Sequence, residues 1–219
     1  MTLAAPGRVR LLGGLLLLVP VFGACSDPTP GEGEGEGEGE IEGLACPVPA
    51  SEVTTVKDGD TLAVVRPCTG PGDCLDGEEC VDGGCATDFA VRLMAINAGE
   101  IAHSRAELPE CMADDARLAL ERLAKGQRVR LVYEPLAGCT EVYGRGLAYV
   151  WVGDVLVQER LLEQGLACLY WYDNEREQEQ TLYYARLATA QERAQKLGLG
   201  IWSSAGACRG LLFPERCLD

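Results

Sequence analysis

Two arginines and several carboxylates stand in three short stretches of this chain. The first is Asp58-Gly59-Asp60-Thr61, and the second is Arg92-Leu93-Met94-Ala95-Ile96-Asn97-Ala98-Gly99-Glu100. The third is Glu141-Val142-Tyr143-Gly144-Arg145-Gly146-Leu147-Ala148-Tyr149-Val150. Together they supply what hydrolysis of a phosphodiester requires. Attack on phosphorus concentrates negative charge on the equatorial oxygens, and a guanidinium binds such oxygens in pairs while staying charged at any physiological pH. A carboxylate can position or deprotonate the attacking water. A hard cation held by oxygen ligands can neutralise the remaining charge. Histidine is not needed, and His103, the only one, is assigned no role.

The elements that must carry these residues follow from hydrophobic periodicity. Alternation predicts strands over 53–56, 61–65 and 89–96. Met112, Ala116, Ala119 and Leu123 share one face of a predicted helix that Gly126 ends. Val129, Leu131 and Tyr133 alternate in a further strand. Residues 146–152 and 155–157 flank Gly153-Asp154 as a hairpin. A short helix over 158–164 stops at Gly165. A longer one carries Tyr183, Leu187, Ala190, Ala194 and Leu197 on one stripe and ends at Gly198. Three strands, a helix and two strands is the order of a five-stranded OB-type β-barrel, an α+β fold. Every motif of the first paragraph then falls at a strand end.

These stretches, in this order, resemble the staphylococcal nuclease (thermonuclease) family. The resemblance runs from about Val53 to Ser203. It includes Gln164-Gly165-Leu166-Ala167 and Gly200-Ile201-Trp202-Ser203, which follow the last two predicted helices. It implies an OB-fold barrel with three helices and calcium-dependent cleavage of DNA and RNA. It assigns Arg92 and Arg145 to the phosphate, Glu100 to general base catalysis, and Asp60, Asn97 and Ala98 to the Ca2+ site. It places Tyr143 near the nucleotide phosphates, and Tyr170, Trp171 and Tyr172 against a base. Asn97 stands where the family has an aspartate ligand, so the implied cation affinity falls. Gly99 replaces a proline, which implies a less rigid loop. Glu141 stands for an aspartate and Val142 for a basic residue. The rival reading is a non-catalytic binding module in which Arg92, Glu100 and Arg145 survive as an ion-pair network.

Charge and cysteines bear on where this chemistry takes place. Of 219 residues, 34 are acidic and 19 basic, a net charge of −15. Setting aside Asp27, the six glutamates from Glu32 to Glu42, Arg8 and Arg10 leaves 27 acidic and 17 basic residues, still −10. That argues against tight general binding of nucleic acid, though not against local arginine clusters. Arg8 and Arg10 precede an apolar run over 11–22, too short for a comfortable membrane span, so 1–24 reads as a signal peptide. Phe22-Gly23-Ala24-Cys25 resembles a bacterial lipobox that would lipidate Cys25; the alternative is ordinary cleavage near Ala24. Residues 25–45, with five Gly-Glu repeats, form a flexible self-repelling linker. The expectation is an exported monomer, tethered to the cell envelope through Cys25, facing the periplasm or the exterior and acting on DNA or RNA.

Removing Cys25 from the 11 cysteines leaves an even set of ten, expected in an oxidising compartment to form five disulfides. The domain occupies 46–219, with a cysteine-rich insertion over 66–88. Cys68, Cys74, Cys80 and Cys85 of that insertion are expected to pair among themselves, in any of three ways. The insertion is either a binding knob or a stapled, tolerated loop.

Overall fold

The computed structural model describes residues 46, 50–74, 79–104, 106–171, 178–203, 208 and 217. The expected signal peptide, Cys25, the Gly-Glu linker and Tyr172 lie outside the described residues. Five strands form the barrel. β1 (Ala50–Val56) pairs antiparallel with β2 (Thr61–Val65), which pairs with a strand over Phe89–Leu93. Between these last two the cysteine-rich insertion contributes only a two-residue ribbon, β3 (Cys80–Val81) and β4 (Gly84–Cys85). The Phe89–Leu93 strand is therefore β5. It continues past a turn into β6 (Ile96–Ala98). β7 (Arg128–Tyr133) pairs with β1 and with β8 (Gly146–Val152), and β8 closes the barrel by a parallel pairing with β5.

The barrel strands show why this sequence closes. Val53 and Val56 of β1 are buried while Glu52, Thr54 and Thr55 are exposed, and a register shift between Val53 and Thr55 bends the strand. Every residue of β8 from Gly146 to Trp151 is buried, because helices cover one face and the barrel interior takes the other. Three helices complete the fold: α1 (Ala113–Ala124), α2 (Val157–Glu163) and α3 (Tyr184–Leu197). Short β9 (Val155–Leu156) leads into α2, and β10 (Ala167–Leu169) follows it and pairs with β6. The result is the five-stranded barrel with three helices that the strand order and the resemblance implied. No helix among the described residues is long and apolar enough to cross a membrane.

Two buried glutamines fasten helices to strands. Gln158 of α2 donates from Nε2 to the Ala148 carbonyl (3.0 Å) and accepts the Val150 N–H (3.1 Å) on β8. Gln191 of α3 accepts the Leu169 N–H of β10 at 2.7 Å. Each satisfies main-chain groups that would otherwise be buried without partners. The expected stripes are shifted in detail. α1 buries Ala113, Ala116, Ala119, Leu120 and Ala124, with Met112 and Leu123 only partly covered. On α3, Leu197 is 61% exposed, while Gly198 ends the helix at φ 61° as expected. Val157 belongs to α2 rather than to the preceding strand.

The expected single strand over 89–96 is broken. Ala95 adopts φ 67°, a left-handed conformation costly for a residue with a Cβ. Two main-chain bonds hold it: the Met94 N–H donates to Ala148 and the Tyr170 N–H to Ala95 (2.9 and 3.0 Å). Alternation could not reveal the break because residues 91–96 are all buried. Five disulfides join the ten described cysteines, with Cys68–Cys80 and Cys74–Cys85 closing the insertion on itself as expected. The others are Cys46–Cys139, Cys111–Cys208 and Cys168–Cys217.

Candidate active site

One run of polar contacts joins all three motifs. Arg92, at the end of β5 and 4% exposed, ion-pairs through Nη1 with Asp60, which is 2% exposed. Its Nη2 donates to Asn97 Oδ1 at 2.8 Å and to the Ile96 carbonyl at 3.4 Å. Asp60 also accepts the Thr61 hydroxyl (3.1 Å) and the Ala98 N–H (2.8 Å). Thr61 Oγ1 in turn accepts from Arg145 Nη1 at 3.3 Å. Arg145 is gripped from its own loop by Glu141, through Nε and, at 2.9 Å, through Nη2. The two guanidiniums are thus anchored to consecutive residues, Asp60 and Thr61, at the start of β2. The pairing Thr61↔Arg92 between β2 and β5 and the parallel pairing Arg92↔Leu147 between β5 and β8 bring them there.

Glu100 follows β6 on an exposed loop. Its N–H donates to Glu110 Oε2 and its carbonyl accepts the Glu110 N–H, both at 2.9 Å. A Cβ on Gly99 would lie 2.6 Å from the Cys111 carbonyl, so only glycine permits this close approach. The loop in which the missing proline implies less rigidity is tied to the segment before α1 by the two hydrogen bonds with Glu110. Partial desolvation raises the Glu100 carboxyl from its ordinary value, and the nearby Asp58 charge adds to that, against Arg92. Asp58 is also raised, chiefly by burial and against the pull of Arg92. Its Oδ1 accepts the Asp60 N–H at 3.0 Å, the turn that aims Asp60 inward. A carboxylate whose proton affinity is raised suits proton abstraction.

The groups around Arg92 that could ligate a cation are oxygens: the Asp58, Asp60 and Glu100 carboxylates and the Asn97 amide oxygen. That chemistry fits a hard divalent cation. The Asp60 and Asn97 side-chain oxygens bind Arg92, so a cation there shares them with the guanidinium.

The aromatic residues divide. Tyr143 is 81% exposed on the loop that carries Arg145, and Tyr170 is partly exposed just after β10. Trp171 is 8% exposed, packs within the main core and lies against Tyr184 with ring centroids 5.6 Å apart. It is a packing residue here and presents no open face to a base. Three participants were not singled out in the sequence: Thr61 as the bridge, Glu141 as the grip on Arg145, and Asp58 as the acid beside Glu100. All lie inside the quoted motifs, so the signal was present, but their partners were not.

A family model described as staphylococcal nuclease homologue matches residues 90–204, more than half of the chain. The thermonuclease of Staphylococcus hyicus is 38% identical over 84 residues, which is 38% of this chain and 46% of that protein. The thermonuclease of Staphylococcus intermedius is 31% identical over 153 residues, 68% of this chain and 74% of that one. The chain thus spans under half of the first relative and about three quarters of the second. The barrel, the joined arginine motifs and these matches support a nucleic-acid hydrolase, and the chain belongs to the staphylococcal nuclease family.

Proposed function

We propose that this chain cleaves phosphodiester bonds of DNA or RNA with the aid of a divalent cation such as Ca2+. The observation that carries the reading is the continuous run Arg145–Thr61–Asp60–Arg92–Asn97, which ties two guanidiniums into one network, with the raised Glu100 carboxyl near Arg92. Glu100 takes the proton of the attacking water. Arg92 and Arg145 meet the charge that develops on the phosphoryl oxygens, and their anchors at Asp60, Thr61 and Glu141 keep them from reorganising as it does. Asp60, Asn97 and the Ala98 main chain would hold the cation, which when bound lowers the cost of that charge. Tyr143 and Tyr170, whose rings are at least partly exposed, would contact the nucleotide.

Export and attachment to the envelope through Cys25 belong to the same proposal. They are supported by the basic and apolar N-terminal run and by five disulfides, bonds that persist in oxidising compartments. The test of activity is cleavage of single- and double-stranded DNA and RNA across a calcium titration, with chelator as control. Asn97→Asp should lower the cation concentration for half-maximal rate, with less effect at saturation. Absence of cleavage at saturating cation would replace the enzyme with a binding module. Mass spectrometry of the mature N-terminus tests lipidation: an unmodified terminus, or one other than Cys25, removes the tether.

A further inference from the structure

The Asn97–Glu100 loop is flanked by two disulfides that no catalytic step uses. Cys111, adjacent to Glu110, is 2% exposed and its carbonyl lies against Gly99. Cys168 of β10 is 0% exposed, pairs directly with Asn97 across the β6–β10 ribbon, and its Sγ lies 3.6 Å from the Asn97 carbonyl. Their partners, Cys208 and Cys217, are both partly exposed and come from beyond the last helical turn. All four cysteines, with Ile201, Met112 and Trp202, form one small apolar cluster that meets the barrel core at Met112. One bond therefore braces the segment that hydrogen-bonds Glu100, and the other braces the strand that presents Asn97. Arg145 is anchored elsewhere, to Thr61 and Glu141, and Arg92 holds Asp60 as well as Asn97.

We propose that Cys111–Cys208 and Cys168–Cys217 are a thiol-sensitive positioning clamp for the Asn97–Glu100 loop, so that turnover depends on both bonds being closed. The inference rests on the nuclease reading above. Opening either bond takes two electrons and two protons from an external dithiol, which becomes a disulfide as the two protein sulfurs become thiols. The attacking thiolate reaches Cys208 or Cys217, the partly exposed ends, and expels the buried Cys111 or Cys168 sulfur. With the brace gone, the Glu110–Cys111 segment and β10 are no longer fixed from outside, and Glu100 loses its catalytic placement. A misplacement of about 1 Å is enough to cost on the order of a hundredfold in rate. Arg145 is held by Thr61 and Glu141, outside this clamp, and Arg92 keeps its ion pair with Asp60 when the clamp opens, so the loss falls chiefly on kcat rather than on KM.

The experiment uses the full oxidised chain and a labelled oligonucleotide at saturating calcium. Cys208→Ser/Cys217→Ser should lower kcat by tenfold or more with KM within about twofold, while thermal unfolding stays cooperative. Cys68→Ser/Cys80→Ser, in the insertion, should leave kcat unchanged. In parallel, activity is followed through a dithiothreitol titration under native conditions, with mass spectrometry reporting which cysteines open and far-ultraviolet circular dichroism reporting the fold. Activity should fall in step with opening of the Cys208 and Cys217 bonds at constant circular dichroism, and return on reoxidation. Parental kcat in the folded double variant, or in protein with both bonds open, overturns the clamp. Loss of activity only together with loss of the fold, by either route, also overturns it and leaves two ordinary structural staples. An oxidised parent that does not cleave at all is a different failure, that of the nuclease reading itself.

Discussion

Replacing Arg145 with alanine should be far more damaging than the loss of one hydrogen-bond donor, because of what it leaves behind. Removing a single charged group that stabilises a developing oxyanion costs on the order of 3 kcal/mol. Glu141, whose side chain is only 6% exposed, has Arg145 as its ion-pair partner. Without that partner its carboxylate faces the substrate. A phosphate about 6 Å away meets a repulsion of about 3 kcal/mol at an effective dielectric constant of about 20, and water entering the space left by the arginine would reduce it to about 1–2 kcal/mol. The two effects sum to about 4–5 kcal/mol, roughly a thousandfold or more in kcat/KM. Adding Glu141→Gln to Arg145→Ala should then recover about tenfold, although Glu141→Gln alone should slow the parent by loosening the guanidinium. The assay is single-turnover and steady-state cleavage of a labelled oligonucleotide by the four proteins of the cycle. An Arg145→Ala protein as fast as the parent refutes the role of Arg145. A double variant no faster than Arg145→Ala refutes the electrostatic account of Glu141.

Three further outcomes follow from packing and burial. A Cβ on Gly59 would lie 2.6 Å from the Cβ atoms of both Ala116 and Ala98, so Gly59→Ala should push α1 away from the site. It should cost about 1–3 kcal/mol, or about 2–4 °C of melting temperature per kcal/mol; an unchanged melting temperature contradicts the packing. Glu134, 1% exposed, accepts the Tyr149 hydroxyl and the Leu136 and Leu182 N–H groups (3.2, 3.3 and 2.8 Å). Glu134→Ala should therefore cost about 2–4 kcal/mol in chemical denaturation, and less in a Tyr149→Phe background. Burial pushes Tyr133 from 10.0 up to about 12, and burial with the Glu134 charge raises Tyr149 as well. As pH rises past about 10 the unfolded phenols ionise first, the unfolded state binds fewer protons, and stability falls between about pH 10 and 12. Tyr133→Phe should lessen that fall, and a flat stability profile across the window removes the argument.

What could be read along the chain was whatever depends on neighbours in sequence. Period-two alternation located the barrel strands, a glycine after a helical stripe located the end of α3 at Gly198, and compact cysteine spacing implied that the insertion closes on itself. The chemical types of Arg92, Glu100 and Arg145 were likewise visible, since a guanidinium or a carboxylate is the same group wherever it folds. The partners were not visible, because each is set by strand register between segments far apart in the chain. Thr61 bridges to Arg145, 84 residues away, only because the parallel β5–β8 pairing closes the barrel. The resemblance set Tyr170 and Trp171 together against a base without saying which ring the core would take. Gly165 and Gly200 stood in two separate tetrapeptides. In the fold a Cβ on Gly200 would lie 2.0 Å from the Gly165 carbonyl, and the Ile201 N–H donates to that same carbonyl at 2.8 Å. Backbone contact that close admits no side chain on either residue, and only the packed structure, where α2 and α3 end side by side, creates that requirement.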